Sequence, residues 1–193
     1  MKRYVKSDGK KNKRVIKCSQ DVASFESEYE YPRYDSLDAL NCFQNFVYNY
    51  SDSDMYIADA ISEQADYSVD VYYDQLCKSC WDLYQSGAYE EAKANGILDG
   101  TDDLMQVLQI CQSEFYTIQM YQNLDALMRN LVLEYLNTND IFDESPITYE
   151  QWQEVCDELL TDVDNNDRIS DICERVADYI RDNSDSDEDE DEE

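Results

Sequence analysis

A stretch of 36 residues from Thr101 to Leu136 contains neither glycine nor proline and is compatible with a helical conformation. Its apolar residues recur at three- and four-residue spacing, the period of one face of an α-helix. They are Leu104, Val107, Leu108, Cys111, Phe115 and Ile118, followed by Leu124, Leu127, Leu131 and Tyr135. Asn123 is typical of a helix start, so two consecutive helices fit the stretch as well as one. Its polar residues are mostly uncharged, which indicates that neighbouring elements cover it on several sides.

The scarcity of turn-forming residues restricts the fold class. The 193 residues include four glycines and two prolines, too few for the turns of a β-sandwich or barrel. Hydrophobic residues make up 42% of the sequence, enough to build a core. We therefore predict a mainly α protein, a compact bundle of about seven to eight helices around a long central helix.

The net charge of −30 is distributed unevenly. Residues 1–17 hold eight lysines and arginines and one acid, whereas residues 183–193 hold eight acids and no base. The body between them, residues 18–182, still carries a balance of −29. A folded body with this charge is destabilised by its own repulsion. Free nucleic acid and anionic membranes are therefore poor partners for it, and basic protein surfaces are good ones.

The shifts in charge divide the chain into three segments. Residues 1–18 form a basic arm or a short β-hairpin, residues 19–182 an acidic helical domain, and residues 183–193 an acidic tail expected to be disordered. Within the domain, the sequence 34–40 matches 121–127 at five of seven positions. The domain can therefore consist of two related halves, 34–100 and 101–182, although chance similarity between two helix starts explains the match equally well.

Periodicity and capping residues predict the other helices. The first begins after Ser36, reaches Tyr50 and directs four residues inward: Leu37, Leu40, Phe43 and Val47. A second covers about 55–64, a third begins at Ser68, and a short one covers 88–95. The third carries an apolar face of Tyr73, Leu76, Cys77, Cys80, Trp81 and Tyr84. The last two, 148–161 and 168–181, bear the clearest stripes: Trp152, Val155, Cys156, Leu159 and Leu160, then Ile169, Ile172, Cys173, Val176, Ala177 and Ile180.

Rows of carboxylates occupy the opposite faces of three predicted helices. Side chains three and four positions apart on a helix lie about 5–6 Å from each other, a spacing close to that of successive phosphates on a nucleic-acid strand. A DNA-binding protein can bind such rows with its own lysines and arginines. The candidate partner-binding residues are Asp70, Asp74, Asp82, Glu150, Glu154, Asp157, Glu158, Asp171, Glu174 and Asp178. A solvated surface is the plainer explanation of any single row.

The segment 162–174 resembles the calcium loop of the EF-hand family. Loop positions one, three and five are occupied by Asp162, Asp164 and Asn166. The sequence departs from the family at position six, where Asp167 replaces glycine, and at position twelve, where Cys173 replaces the bidentate glutamate. Those three residues are the metal candidates, but we prefer an acidic loop between two helices and predict no cofactor.

Catalytic and redox chemistry have little support in the sequence. There is no histidine, the commonest general base near neutral pH, and no phosphate-binding glycine loop or nucleophile elbow. No catalytic residue is therefore predicted. Cys77-Lys-Ser-Cys80 is a lone CxxC on an apolar helix face, which favours a core pair over a redox or zinc site. The absence of a signal-like or membrane-spanning apolar run predicts a cytoplasmic protein with reduced cysteines.

In charge, size and helix faces, residues 18–182 resemble the DNA-mimic inhibitors of phages and mobile elements, of the anti-restriction and anti-CRISPR kind. The segment Glu28-Tyr-Glu-Tyr-Pro-Arg-Tyr-Asp-Ser-Leu-Asp-Ala-Leu-Asn41 is similar to the "Tyr-x-Ser-Ile-x-Glu-Leu-Asn" stretch of the ArdA anti-restriction family, with Ala39 where that family often has glutamate. The mixed α/β domains of that family are not expected here.

The resemblance implies an inhibitor that occupies the basic DNA- or RNA-binding groove of a host defence nuclease, either a CRISPR effector or a restriction enzyme. Two alternatives stay open. One is a non-mimic interaction protein or chaperone that binds basic partners through its acidic tail. The other is a calcium-binding regulator that uses the EF-hand-like loop.

Overall fold

The computed structural model describes residues 15–18, 20–22, 37–96 and 104–184, and these ranges are almost entirely helical, which confirms the mainly α class. Residues 20–22 are helical, and nine further α-helices have both ends in the described ranges: α1 (Leu37–Tyr50), α2 (Ile57–Val71), α3 (Tyr73–Gln85), α4 (Ala88–Ala94), α5 (Leu104–Gln122), α6 (Leu124–Thr138), α7 (Ile141–Glu144), α8 (Tyr149–Val155) and α9 (Ile169–Ser184). A π-helical turn, Cys156–Leu160, follows α8 directly. The ArdA-like segment before residue 37, the arm before residue 15 and the acidic tail after residue 184 lie outside the described ranges.

Two short strands fasten the N-terminal region to the start of α8. Strand β1 (Val15–Ile16) pairs antiparallel with β2 (Ile147–Thr148), and Ile16 lies opposite Ile147 with both side chains buried. The other half of the predicted hairpin, residues 3–6, lies outside the described ranges, so the described partner of β1 is a segment more than a hundred residues away. Immediately after β2, Thr148 begins α8 with a capping box formed with Gln151.

The central stretch forms two consecutive helices, α5 and α6, in place of the one long central helix predicted, and the break falls at Asn123, where the sequence allowed a second helix start. The predicted cap is wrong in detail, because the Asn123 side chain donates a hydrogen bond back to the Gln119 carbonyl (2.7 Å) and does not cap α6. Helix α6 packs against α1, α9 and the π turn. It supplies much of the core through Leu127, Met128, Leu131, Val132, Leu133 and Leu136. Burying each of these side chains contributes about 1.5–3 kcal/mol to folding.

The predicted inward face of α1 is only partly correct. Phe43 is buried as predicted, but Leu37 is 72% exposed, and Leu40 and Val47 are half-buried. The buried row consists of Ala39, Cys42, Phe43, Phe46 and Tyr50. Helix α1 lies against both α2 and α6, and this position turns the stacked rings of Phe46 and Tyr50 into the core, with their centroids 5.1 Å apart.

The predicted boundary between the second and third helices is also wrong, because α2 continues to Val71 and Ser68 lies buried within it. In the structure the buried Gln64 and Ser68 belong to one chain of hydrogen bonds, which runs from the exposed Asn49 amide to Gln64 (3.2 Å) and from the Gln64 amide to the Ser68 hydroxyl (3.0 Å). Such pairing removes most of the cost of burying these polar groups.

The side chains of α3 and α5 are less buried than the sequence predicts. Leu76 is the buried residue of α3, and the residues of α5 from Leu104 to Phe115 are at most half-buried. Cys77 and Cys80 are likewise half-buried, so the predicted core pair is wrong. Helix α3 contacts α5 and α4, but α4 contributes no buried side chain. The central stretch is therefore covered on several sides mainly in its second half.

The last two helices agree with their predicted stripes. Trp152, Val155, Cys156 and Leu160 are buried, as are all six predicted residues of α9, while Leu159 is half-buried. The π turn in place of the last α-helical turn is a feature the periodicity did not predict. Within the described ranges, no helix combines the length and apolarity needed to cross a bilayer.

Candidate protein-binding surface

All ten predicted carboxylates are exposed, but the structure separates them into two groups. Asp70 lies near the end of α2, and Asp74 and Asp82 lie on α3. The other seven lie on α8, the π turn and α9: Glu150, Glu154, Asp157, Glu158, Asp171, Glu174 and Asp178. Ile57, at the start of α2, contacts the loop before α9. Asp70 lies about 20 Å from Ile57 along the α2 axis, because an α-helix rises 1.5 Å per residue. The first group therefore forms a surface of its own.

The second group is brought together by contacts between α9 and the π turn. The Arg175 guanidinium donates a hydrogen bond to the Leu159 carbonyl (3.0 Å). Burial, and then the charges of Glu158 and Glu154, raise the pKa of the Tyr179 phenol on α9. The acidic row of α8 and the π turn therefore runs alongside the acidic row of α9.

The loop between α1 and α2 adds two carboxylates that sequence reasoning missed. The Ile57 amide donates to the Asp167 carbonyl and the Ile169 amide donates to the Met55 carbonyl, both at 3.0 Å. This pair of hydrogen bonds sets Tyr56 opposite Arg168 in an antiparallel bridge. The bridge holds the acidic loop 51–56 against the loop that precedes α9, although the two are more than a hundred residues apart in the chain.

Side chains reinforce the bridge. Arg168 lies over the Tyr56 ring at 5.1 Å from its centroid and pairs with the Asp54 carboxylate at 3.9 Å. The Ser170 hydroxyl donates to the same carboxylate (2.8 Å). The sequence predicts that the first helix reaches Tyr50, but an acidic loop at the end of a helix gives no sign of its distant partner.

Seven carboxylates from three elements therefore share one region, which we call the C-terminal acidic surface: Asp52, Asp54, Glu154, Glu158, Asp171, Glu174 and Asp178. The α9 row forms its middle, since residues 171, 174 and 178 recur at helical spacing on the side opposite the buried stripe. Tyr179 and Arg175 face α8 on one flank. On the other flank Asp52 and Glu174 both act on the buried Cys173 thiol.

Few positive charges accompany this surface. Residues 149–184 contain eleven acids and three arginines. Of these, Arg168 pairs with Asp54, Arg175 binds a backbone carbonyl, and Arg181 pairs with Asp178 at 3.2 Å. Exposed pairs of this kind contribute about 0–1 kcal/mol. Most of the negative charge is therefore available to a partner.

The EF-hand-like loop uses its polar groups to shape the turn. The Asp164 carboxylate accepts hydrogen bonds from the backbone amide (2.8 Å) and the side chain (2.7 Å) of Asn166, and the Asp167 carboxylate accepts one from the Asp164 amide (2.9 Å). Across the described part of the chain, no three acidic, thiol or imidazole side chains converge in the way a metal ion requires. Of the metal candidates Asp162, Asp164 and Asn166, the last two are therefore hydrogen-bonded to each other.

The buried thiol nearest the acidic surface is not set up as a nucleophile. Burial, and then the charges of Asp52 and Glu174, raise the pKa of Cys173 to about 12. A thiol protonated throughout the neutral range is a poor nucleophile. Its weak 3.7 Å contact with the Ser51 carbonyl instead helps hold the acidic loop 51–56 against α9.

Comparison with protein families, curated proteins and solved structures found no match to the chain. Neither a relative nor a shared fold therefore assigns a role to any residue. The geometry and charge of the C-terminal acidic surface are the basis on which a function is inferred.

Proposed function

We propose that the protein is an acidic nucleic-acid mimic, which binds through its C-terminal acidic surface to the basic DNA- or RNA-binding groove of a host defence nuclease and blocks that groove. A CRISPR effector and a restriction enzyme are the two classes of target. The protein itself performs no catalysis in this proposal. Inhibition is steric and electrostatic, because nucleic acid cannot enter a groove that is already occupied.

The observation that carries the proposal is the fixed placement of exposed carboxylates from three elements. The Tyr56–Arg168 bridge and the Arg175 hydrogen bond hold these elements together, and the buried stripes of α8 and α9 fix which way the carboxylates point. Carboxylates at helical spacing lie about 5–6 Å apart, on the scale of strand phosphates.

Preorganisation gives such an array an advantage over a flexible acidic segment. A disordered tail loses conformational entropy when it binds, whereas side chains on packed helices lose only the freedom of their own rotamers. The packed helices therefore favour binding by the body of the protein. A chaperone that grips basic partners with its tail would depend on residues 183–193 instead.

Binding of this kind should depend steeply on salt. Each lysine or arginine of the groove that exchanges a counterion for a carboxylate adds to the loss of affinity as salt rises. The salt dependence therefore reports how many charges the partner engages, without knowledge of which protein the partner is.

Capture from a bacterial lysate tests the proposal. The protein is immobilised at low salt, and bound proteins are eluted first with duplex DNA and then with a salt gradient. Recovery of a nuclease or methyltransferase that DNA displaces is the expected result. If every captured protein lacks a nucleic-acid-binding groove, or if DNA displaces none of them, the proposal is wrong.

Variants identify the surface that binds. Replacing Glu154 and Glu174 by glutamine should weaken capture about tenfold at low salt, since each exposed charge pair contributes about 0.7 kcal/mol. The matched control changes Asp125 to asparagine and Glu134 to glutamine on α6, removes the same charge and should bind normally. Deletion of residues 183–193 should have little effect, whereas loss of most binding on that deletion would favour the chaperone alternative.

A further inference from the structure

The two short strands attach the basic arm to the body beside an acidic helix. Strand β1 runs antiparallel to β2, with Val15 opposite Thr148 and Ile16 opposite Ile147. From Val15 toward the N-terminus, the chain therefore runs in the direction in which β2 leads into α8. Thr148 is the N-cap of α8. Residues 1–14 are thus attached at the first turn of that helix.

The surface of α8 and the π turn carries exposed acids without basic neighbours. Glu150 and Asp157 are exposed, and they lie close to one line along the helix because seven residues make about two turns. Glu154 and Glu158, which belong to the C-terminal acidic surface, lie next to them. Residues 130–167 contain eleven acids and no lysine or arginine. Among the described residues, neither Glu150 nor Asp157 pairs with a basic side chain.

We propose that residues 1–14 of the basic arm lie along Glu150 and Asp157 in the free protein, and that a basic partner must displace them to bind the C-terminal acidic surface. The charges are complementary, since residues 1–14 hold seven lysines and arginines and one acid. The contact also relieves part of the repulsion within a body of −29. As a regulation of that surface it rests on the proposed function, whereas the contact itself does not.

The length of the arm and its point of attachment select this site among the acidic faces. Fourteen extended residues reach about 46–50 Å at most. The seven residues of α8 and the five of the π turn together span about 18 Å, so the arm is long enough to pass Asp157. A segment tethered this closely meets its site at an effective concentration of the order of millimolar. The acids of α2 and α3 form a separate surface and have no such tether.

An arm in this position makes the acidic surface more selective. Its positive charges lie next to Glu154 and Glu158, where they reduce the attraction that a basic protein experiences. A protein with a few scattered lysines gains too little to displace the arm. A groove lined with many lysines and arginines gains enough, because each contact with a carboxylate adds to its affinity.

Zero-length cross-linking of the unmodified full chain tests the contact. A carbodiimide joins a lysine amine to a carboxylate that touches it, and mass spectrometry of the monomer identifies the linked peptides. The expected result at low salt is links from lysines of residues 1–14 to α8 and the π turn, with Glu150 and Asp157 the main sites. These links should disappear near 1 M salt, where the Debye length is about 3 Å. Absence of links from the arm, or equal linking to the acids of α2 and α3, would overturn the proposal.

Neutralising the arm tests its effect on binding. The arm variant replaces Lys6, Lys10 and Lys13 by glutamine, and the probe is a labelled peptide of twelve lysines followed by fluorescence anisotropy. At low salt the arm variant should bind the probe about tenfold more tightly than the unchanged protein, which corresponds to 1.4 kcal/mol.

The matched control replaces Lys78, Lys93 and Arg129 by glutamine on α3, α4 and α6 and changes the net charge by the same amount. It should bind the probe less than about twofold more tightly, because its charges are distant from the site and screened. Equal changes in the two variants, or no change in the arm variant, would overturn the proposal. Far-ultraviolet circular dichroism should be unchanged in both variants, and the cross-linking result does not depend on either of them.

The outcomes for the arm and for the proposed function are distinguishable. If no nuclease is captured, but the arm is cross-linked to α8 and its neutralisation tightens peptide binding, the proposed function is wrong and the arm still regulates the acidic surface. If a nuclease is captured and displaced by DNA while the arm gives no links, the regulation is wrong and the proposed function stands.

Discussion

Replacing Glu154 and Glu174 by glutamine should make the protein more stable while weakening its binding to a basic partner. Both residues are exposed, and both lie in the middle of a row of acids at helical spacing. The double variant removes the repulsion within five close pairs, at positions 150–154, 154–157, 154–158, 171–174 and 174–178. An amide keeps the shape of the side chain and removes only its charge.

The gain can be estimated from the spacing of the charges. Two carboxylates about 6 Å apart repel by about 0.7 kcal/mol in water. Screening over a Debye length of about 8 Å lowers this to about 0.3 kcal/mol, within the range measured for like charges on helices. Five such pairs amount to about 1.5 kcal/mol, which corresponds to a rise in Tm of about 3–6 °C for a domain of this size.

Thermal unfolding followed by circular dichroism measures the gain, with the Asp125→Asn, Glu134→Gln variant as the control. The control loses the same net charge, but neither of its residues has an acid three or four positions away. It should gain little or nothing. The difference between the two variants should vanish near 1 M salt, where the Debye length is about 3 Å. Equal stabilisation of both variants, or destabilisation of Glu154→Gln, Glu174→Gln, would refute the reasoning.

Three further predictions concern the buried core, the buried thiol and phenol groups with raised pKa values, and the EF-hand-like loop. Trp152→Ala should cost about 3–5 kcal/mol in urea unfolding, because the indole is fully buried, and a loss below about 1 kcal/mol would contradict its placement. Burial, ahead of nearby charges, raises the pKa of Cys173 from 9.0 to about 12 and those of Tyr50 and Tyr116 from 10.0 to about 12. The unfolded chain therefore loses these protons at lower pH than the folded protein does. The stability that these groups contribute should be complete below pH 9 and should fall as the pH rises from 9 to 12. Unfolding followed by circular dichroism that shows no loss of stability up to pH 12 would argue against this. Calorimetric titration with calcium should give no saturable heat, because Asp167 replaces the glycine at loop position six and Cys173 replaces the bidentate glutamate at position twelve. A heat that Asp162→Ala abolishes would show the opposite.

The sequence predicted the last two helices because each carries its full pattern within one short segment. Apolar residues fall on one face and acids on the other, so the direction of the stripe does not depend on any distant element. Helix α1 differs, because it offers apolar residues on more than one side and its packing against α2 and α6 decides which are buried. Leu37 was predicted inward and is exposed for this reason.

The C-terminal acidic surface was only partly predictable. Its α8 and α9 rows follow from periodicity, but the contribution of Asp52 and Asp54 depends on hydrogen bonds between residues more than a hundred positions apart. Local propensity carries no information about such a bridge. The prediction for α5 failed in the opposite direction. Its low charge predicts burial, but among the described residues no neighbouring element buries the side chains of its first half.

Whether nucleic acid and this protein exclude each other from one groove is the most direct test of the proposed mimicry. A labelled duplex bound to the captured nuclease is followed by fluorescence anisotropy while the protein is added. The account predicts that the protein releases the duplex. The protein concentration needed for release should rise steeply with salt, and it should be higher for the double variant Glu154→Gln, Glu174→Gln than for the unchanged protein. A ternary complex, in which the nuclease holds the duplex and the protein together, would contradict it.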